Sequence, residues 1–328
     1  MSNKVRKILV ISTLREGLTE IAQRHGFGHV KFVFANTEEE SAREIQDADV
    51  VILGNWNTKI FQAAKSLKWV HADSGGINHA LFPDFVNSSV PLTCLKPAFS
   101  IPGAESAIAS MLMFSRRMHH MANRKHGPDM FKSMDHMLKP DEIAGKTVCM
   151  VGLGYMGRTI AARAKNMGMR VLATARTEQA APEGVDKMVP LKNLPELLQE
   201  SDYVMVSVPI TDDTTGLVDK NFLGNMKTTA FLIDISGRLP IFDWKALINA
   251  IEGGGIAGVC LQPSGHDSSI GMPAPDSDFW KLDNVVITPC RITSNEIIPR
   301  HWEIFFKNLK SLQDGKPLEG LVNKKAGY

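Results

Sequence analysis

Three glycines placed between a strand pattern and a helix pattern constrain this chain more than any other feature. Residues Thr147–Val151 form an apolar run typical of a buried strand, and a helix pattern covers residues 158–167. The first glycine of the GxGxxG turn between them permits a tight turn, the second lets a pyrophosphate approach the backbone, and the third allows the helix to pack on the sheet. This order predicts a dinucleotide site, with a purely structural turn as the alternative. The expected contacts are Gly152, Gly154, Tyr155, Met156 and Gly157.

The end of the next predicted strand indicates which dinucleotide is bound. In an NAD site this strand, here residues 169–175, ends on an acidic residue that binds the adenosine ribose. Ala175 stands at that position and is followed by Arg176 and Thr177. Arg and Thr can bind a 2′-phosphate, which an Asp would repel. The sequence therefore favours NADP(H) and leaves NAD(H) possible, since Arg176 can also stack on the adenine of either cofactor.

Strand and helix patterns alternate along most of the chain. Short β-rich runs separated by helix patterns fill the first hundred residues, and a second such series extends from Lys146 to about Pro289. Alternation of this kind predicts parallel sheets covered by helices on both faces. A long helix from about Gly103 to Arg117 separates the two series, and a last helix covers residues 297–312. We expect an α/β fold: a Rossmann-type doubly wound parallel-sheet domain (residues 103–293) inserted into a flavodoxin-like substrate domain (residues 1–102 and 294–328).

Composition excludes several classes of protein. A chain of 328 residues is long for one core, and its net charge of +2 gives no electrostatic reason to bind nucleic acid or an anionic membrane. No apolar run reaches the roughly 20 residues that span a bilayer, and the N-terminus lacks a signal-peptide pattern. The cysteines show no CxxC pair or metal-ligand spacing, so we expect reduced thiols, no metal site and a cytoplasmic protein. They are Cys94, Cys149, Cys260 and Cys290.

Several motifs resemble those of the D-isomer-specific 2-hydroxyacid dehydrogenases, which include glyoxylate and hydroxypyruvate reductases. Residues 67–70, 74–78, 104–105, 143–147, 201–211 and 284–289 match family signatures in order and spacing. The resemblance covers nearly the whole chain, including the interrupted-domain layout. It implies an NAD(P)-dependent oxidoreductase acting on CH-OH groups, with hydride transfer between nicotinamide and C2 of a small 2-keto or 2-hydroxy acid. It also implies a homodimer, for which the Met- and His-rich residues 118–139 are a candidate contact, with a surface loop as the alternative.

The resemblance implies three catalytic positions, one of which has changed. The family uses an Arg for the substrate's carboxylate and carbonyl, a His as proton donor or acceptor, and an acidic residue that supports the His. Arg238 is the candidate in its segment, after a one-residue insertion around Ser236-Gly237. The acidic position falls on Asp267, and the His position, after Thr-Pro, falls on Cys290. The spacing of these motifs agrees with that of the family, but a Cys stands at the position of the imidazole.

Cys290 has three interpretations. A thiol with a pKa of about 8.5 can donate a proton in the reductive direction, less readily than imidazolium. Beside Arg291 its pKa can fall, which would give a nucleophile or a redox-sensitive thiolate. It can also be an inert replacement, with proton delivery left to His266 or to water. The loss of His leaves a second function open: a dinucleotide-binding sensor or scaffold with little dehydrogenase activity.

The resemblance also implies contacts with the substrate and with the rest of the cofactor. The loop Ser74-Gly75-Gly76 would receive the substrate's carboxylate on backbone amides, with a plain turn as the alternative. Gln262 stands where the family has an Asp that faces the nicotinamide carboxamide, and Gln can form such a hydrogen bond. Trp56 either walls the substrate pocket or packs in a core. The remaining expected cofactor contacts are Val208, Pro209, Ile235 and Ser236.

Overall fold

The computed structural model describes residues 4–54, 56–122, 139–176, 180–263, 272–288 and 294–328. The chain divides into two compact units. The first unit is Met1–Phe99 with Ser294–Tyr328, and the second unit is Ser100–Thr293. Each is built on one parallel sheet with helices. Among the described residues, no helix is long and apolar enough to cross a membrane.

The first unit contains a five-stranded sheet of order β2-β1-β3-β4-β5, and all its strand pairs are parallel. Every side chain of β1, β3, β4 and β5 is buried, as expected for a sheet covered on both faces. This strand order is that of flavodoxin-like folds, so the expected class is confirmed. The strands are β1 (Lys7–Val10), β2 (Lys31–Phe34), β3 (Val50–Leu53), β4 (Trp69–Ala72) and β5 (Leu92–Cys94).

Short capped helices connect these strands. The side chains of Thr37 and Asn57 each accept a hydrogen bond from a backbone N–H in the first turn of the helix that follows, which stabilises the helix start. Trp56 is buried and packs against the rings of Phe61 and Phe85, so its role is packing in the core. The helices of this unit include α1 (Leu18–Arg24), α2 (Glu38–Glu44), α3 (Thr58–Ala63), α4 (Pro83–Val86) and α11 (Ile297–Gln313).

The second unit contains a seven-stranded sheet of order β12-β11-β10-β9-β6-β7-β8, again with all pairs parallel. Counted from β6, the first strand after the long helix, this is the 3-2-1-4-5-6 order of the Rossmann fold with one more strand at its end. The expected doubly wound sheet is confirmed. The strands are β6 (Thr147–Val151), β7 (Arg170–Ala175), β8 (Lys187–Pro190), β9 (Tyr203–Val206), β10 (Phe231–Asp234), β11 (Gly258–Leu261) and β12 (Val285–Ile287).

The long helix α5 (Lys96–Ser115) begins earlier than the sequence pattern predicts. Pro102 lies inside it, and a proline lacks the N–H that would bond the carbonyl four residues before it. That carbonyl belongs to Ala98, and Arg300 of α11 donates to it at 2.9 Å. A contact distant in sequence thus satisfies the group that the proline leaves unpaired. The other helices are α6 (Met118–Ala122), α7 (Tyr155–Asn166), α8 (Leu194–Glu200), α9 (Lys220–Gly224) and α10 (Trp244–Glu252).

Two buried histidines meet in the core of the first unit. The Nε2 atoms of His71 on β4 and His301 on α11 lie 3.0 Å apart, and both residues are 0% exposed. His71 Nδ1 lies 2.7 Å from Oγ1 of Thr93, which also accepts from Trp69 Nε1. If the Thr93 hydroxyl donates to His71 Nδ1, His71 carries its proton on Nε2 and donates it to His301 Nε2. Both short contacts of His71 are then hydrogen bonds. Burial lowers the pKa of His71 well below its usual range, and that of His301 to about 4.

We expect this pair to make the protein acid-sensitive. Both imidazoles bind protons more weakly in the folded chain than in the unfolded one, so their contribution is complete above pH about 6.5 and is lost as the pH falls towards 4. The loss from His301 should reach about 2–3 kcal/mol. His301→Phe keeps a ring at this position and should weaken the pH dependence. Urea unfolding at about pH 4.5 and 7.5 measures it, with the exposed His29→Phe as control. An unchanged pH dependence in His301→Phe would contradict the assignment.

Candidate active site

The residues expected to bind the cofactor follow successive strands of the second unit. Gly152 follows β6, Arg176 follows β7, Val208 and Pro209 come after β9, Ile235 and Ser236 follow β10, and Gln262 follows β11. Because the strands are parallel, these positions share the carboxyl edge of the sheet, where doubly wound folds bind ligands. The structure brings these residues to one edge. Thr177 lies outside the described residues.

Glycine suits each of the three positions in the turn after β6 for a different geometric reason. Gly152 has a φ of 97°, and a Cβ there would lie 2.8 Å from the carbonyl oxygen of Ser207. A Cβ on Gly157 would lie 2.4 Å from the carbonyl oxygen of Gly152. At Gly154 no other atom comes within 4 Å of such a Cβ, so open space lies beside the backbone. These are the turn, the close helix packing and the ligand approach that the dinucleotide fingerprint requires.

Helix α7 begins at Tyr155, within the glycine turn and three residues before the start expected from the sequence. Gly154 is its N-cap and offers no side-chain acceptor. The first N–H groups of an α-helix point out of its N-terminus, and with the helix dipole they suit an anion. Together with the open space at Gly154, these groups fit the pyrophosphate of a dinucleotide.

Arg176 lies beside the end of β7, where Ala175 is the last strand residue. Its guanidinium nitrogen is 3.6 Å from a carboxylate oxygen of Asp213, and both side chains are largely exposed. Exposed ion pairs of this kind contribute little to stability. A phosphate can therefore compete with Asp213 for the guanidinium.

The segment that carries Arg238 is held by a turn at the end of β10. The backbone N–H and the hydroxyl of Ser236 both donate to Asp234 Oδ1, at 2.8 and 2.6 Å. The N–H of Arg238 donates to the Ser236 hydroxyl at 3.0 Å. Gly237 has a φ of 66°, which glycine adopts without strain. A left-handed glycine within a hydrogen-bonded turn thus lies where the sequence predicts a one-residue insertion.

Asp234 is a buried carboxylate that the sequence analysis missed. It is 0% exposed, and burial raises its pKa to about 6 against the opposing effect of the Ser236 hydrogen bonds. Its Oδ2 has no hydrogen-bond partner among the described residues. The only signal in the sequence is an acidic residue at the end of the apolar run Phe231–Asp234.

Gln262 is also fully buried, and of its side-chain amide only the nitrogen has a hydrogen-bond partner among the described residues. Its Nε2 donates to the hydroxyl of Ser106 at 2.8 Å. Its Oε1 accepts no hydrogen bond from the described residues. A buried acceptor without a donor is costly, so Oε1 fits a ligand that brings an amide N–H.

The predicted substrate loop follows β4 at the carboxyl edge of the first unit's sheet. The Ser74 hydroxyl donates to the carbonyl of Gly76 at 2.7 Å and closes a turn. Within the described chain, the backbone N–H groups of Gly75 and Gly76 donate to no acceptor. Adjacent unpaired N–H groups can receive an anion. The predicted acid and proton donor candidates, Asp267, Cys290 and His266, lie outside the described residues.

Comparison with known proteins identifies the family. The sequence profile of the family described as D-isomer specific 2-hydroxyacid dehydrogenase, NAD binding domain, matches residues 108–290. The chain belongs to this family. Among related dehydrogenases, glyoxylate reductase from Thermococcus onnurineus is 30% identical over 300 residues, which cover 87% of this chain and 85% of that protein. Glyoxylate reductase from Korarchaeum cryptofilum is 31% identical over 273 residues, 82% of this chain and 80% of that protein.

A solved structure of a D-isomer specific 2-hydroxyacid dehydrogenase from Xanthobacter autotrophicus, in complex with NADPH and MES, shares the fold. It aligns with a TM-score of 0.79 at 23% identity and covers 99% of this chain and 100% of that one. The two-domain dehydrogenase fold is therefore common to both proteins.

Asp234→Asn should stabilise the protein in a pH-dependent way. The raised pKa means that the folded chain loses stability as the pH rises from 3.8 to about 6, because the unfolded chain releases its proton first. The cost above this range is about 3 kcal/mol. Asn keeps the Oδ1 acceptor for Ser236 but carries no charge, so its melting temperature should exceed that of the wild type more at about pH 7.5 than at 5. Equal differences at both pH values, or none, would show that Asp234 is not a buried ionised carboxylate. Asp276→Asn, at an exposed position, is the control.

Proposed function

We propose that this dehydrogenase is an NADP-preferring, cytoplasmic reductase of a small 2-keto acid or a related carbonyl compound. The observation that carries the proposal is the carboxyl edge of the second unit, where the open glycine turn at Gly154 and the turn that holds Arg238 follow strands of the same sheet. The second unit, Ser100–Thr293, would be the cofactor domain predicted over residues 103–293, and the first unit would be the substrate domain. The related glyoxylate reductases support a substrate with a carboxylate.

Different residues would bind the cofactor, bind the substrate and polarise its carbonyl group. NADPH supplies the hydride when bound. The first N–H groups of α7 hold its pyrophosphate, and Gln262 Oε1 accepts a hydrogen bond from the carboxamide. Arg238 binds the substrate and polarises its carbonyl group, because a guanidinium forms charge-assisted hydrogen bonds with oxygen. In the first unit, the N–H groups of Gly75 and Gly76, which donate to no acceptor in the described part of the chain, would suit a carboxylate.

Three sources remain for the proton that a His donates in the family. Cys290 occupies the position of the imidazole, His266 lies beside the acidic Asp267, and water needs no side chain at all. Asp267 would orient whichever group replaces the imidazole.

A homodimer is part of the proposal. Residues 118–139 fit no core pattern, and of these only 118–122 and 139 are described. The face formed by α5 and α7 carries an apolar groove that includes Ile108, Leu112 and Met167. A second copy of the chain would remove this groove from water, which is favourable in proportion to the apolar area buried.

The activity is tested by NADPH oxidation with a panel of 2-keto acids that includes glyoxylate and hydroxypyruvate. We expect turnover with at least one member, and Arg238→Ala should lower kcat/KM by about 10²–10³-fold, as expected when one transition-state contact is removed. Arg238→Lys should recover only part of the loss, because Lys lacks the planar fork. Lys245→Ala on α10 is the control. Absence of turnover with every member would instead favour a dinucleotide-binding sensor or scaffold.

Cofactor preference is tested at Arg176. A charge-assisted hydrogen bond contributes about 1.5–3 kcal/mol, so NADPH should bind at least about tenfold tighter than NADH. Arg176→Ala should remove most of that difference. Asp213→Asn removes the competing carboxylate and should tighten NADPH binding while leaving NADH unchanged. Calorimetry with both cofactors measures these constants, and tighter binding of NADH by the wild type would reject the preference.

A further inference from the structure

The carboxyl edge of the second unit holds two buried oxygen atoms that lack a donor. Asp234 ends β10 and Gln262 follows β11. These strands are neighbours in parallel register, with Ile233 paired to Cys260, and both Asp234 and Gln262 are 0% exposed. Asp234 Oδ2 and Gln262 Oε1 accept no hydrogen bond from the described residues. Two unpaired acceptors at adjacent strand ends of one sheet indicate a place where a ligand is bound.

The two side chains belong to one cluster. Burial raises the pKa of the Asp234 carboxyl to about 6, against hydrogen bonds from Ser236 and from the backbone N–H of Gln262. Burial also raises the pKa of the Cys260 thiol on β11, which the charge of Asp234 raises further and the side chain of Gln262 lowers. The carboxyl, the amide and the thiol therefore lie close together at the ends of β10 and β11.

The donors around Asp234 are neutral. The hydroxyl and the N–H of Ser236 donate to its Oδ1, and the groups that hold its pKa down are hydroxyl and backbone donors rather than a cation. Cys260 stays an uncharged thiol because its pKa is raised, and Arg238, in the turn that follows β10, stays charged at every pH used below. A buried carboxylate held by neutral donors is costly, and a cationic ligand group would offset that cost.

The charge of the nicotinamide ring differs between the two forms of the cofactor. The ring is a cation when oxidised and neutral when reduced, whereas the carboxamide, the phosphates and the adenine are the same in both forms. In the family, an Asp faces the carboxamide from the position of Gln262, and in this chain that position is uncharged. The buried carboxylate of this edge is instead Asp234, on the neighbouring strand. The negative charge has thus moved from the end of β11 to the end of β10.

We propose that the Asp234 carboxylate is the counter-ion of the oxidised nicotinamide ring and raises the affinity of the second unit for NADP⁺ relative to NADPH; this inference rests on the proposed NADP-dependent function. A charge pair is stronger in a buried site than in water, and the neutral reduced ring gains nothing from it. Gln262 Oε1 accepts from a carboxamide that both forms carry, so it does not discriminate between them.

This preference bears on the direction of the reaction. The two binding constants and the redox equilibrium of the cofactor form one thermodynamic cycle. Tighter binding of NADP⁺ therefore makes bound NADPH a stronger hydride donor than free NADPH. Asp234 would favour reduction of the substrate over its oxidation, without contacting the substrate.

Calorimetric titration of the full-length protein with NADP⁺ and with NADPH tests the inference without any substrate. Asp234→Asn keeps the Oδ1 acceptor for Ser236 but carries no charge. Its Kd for NADP⁺ should rise by about tenfold, while its Kd for NADPH changes less than about threefold. Asp202→Asn is the matched control, because it removes a partly buried carboxylate at the amino edge of the same sheet. It should keep the wild-type ratio of the two constants.

The pH dependence of this ratio is the second readout. NADP⁺ requires the ionised form of Asp234, so its affinity relative to NADPH should fall as the pH falls through about 6. Between pH 8 and pH 5.5 we expect a fall of about three- to fourfold, absent in Asp234→Asn. The 2′-phosphate titrates in both forms of the cofactor, so the ratio cancels its effect.

Ser236→Ala keeps the inference testable if Asp234→Asn does not fold. It removes a hydroxyl that donates to Asp234 Oδ1 at 2.6 Å and lowers the pKa of this carboxyl. The fall in relative NADP⁺ affinity should therefore begin at a higher pH than in the wild type. A fall at the wild-type pH in Ser236→Ala overturns the inference.

The remaining outcomes separate this inference from the proposed function. If Asp234→Asn weakens both forms of the cofactor alike, or neither, the role of Asp234 is structural or nil, and the inference is overturned while the reductase function stands. A wild type that binds neither NADP⁺ nor NADPH overturns both.

Discussion

The close approach of α7 to the turn after β6 is the contact on which the cofactor site depends. The helix can begin at Tyr155 only because Gly157 has no side chain to meet the carbonyl of Gly152. Any larger residue would push the helix away from the strand end and would carry its first N–H groups with it. The anion-binding end of α7 is therefore set by backbone packing, and no positively charged side chain is needed to create it.

Both units keep buried polar groups, but the groups respond differently to pH. In the second unit, one oxygen of Asp234 and the side-chain carbonyl of Gln262 have no partner among the described residues, and both lie at the edge where the cofactor is expected. Buried groups of this kind persist where a ligand or a mechanism uses them. The histidine pair of the first unit differs, because in the described part of the chain only its His301 Nδ1 lacks a partner and neither imidazole needs to be charged. The pair ties α11 to β4, the strand before the predicted substrate loop, and the bond is lost when both Nε2 atoms carry protons.

Local patterns predicted the fold well, and contacts distant in sequence account for what they missed. The glycine run, the β6 strand and the order of elements around them follow from short-range rules, so their positions were found to within a few residues. The start of α5 was missed because Pro102 reads locally as a helix breaker, whereas the carbonyl that it leaves open is satisfied by Arg300, 202 residues from Ala98.

A Cys at the position where the family has His, as the sequence predicts for Cys290, does not remove the reaction's need for an acid. A proton donor works best when its pKa lies near the working pH, so a thiol must be lowered and an ordinary carboxyl must be raised to serve. Lowering a thiol pKa requires a positive neighbour, and Arg291 is adjacent to Cys290 in the sequence. Raising a carboxyl pKa requires only burial and a nearby anion, and a 2-keto acid brings that anion with it. A bound carboxylate raises the pKa of an imidazolium as well as that of a carboxylic acid, so either donor would hold its proton more firmly while such a substrate is bound.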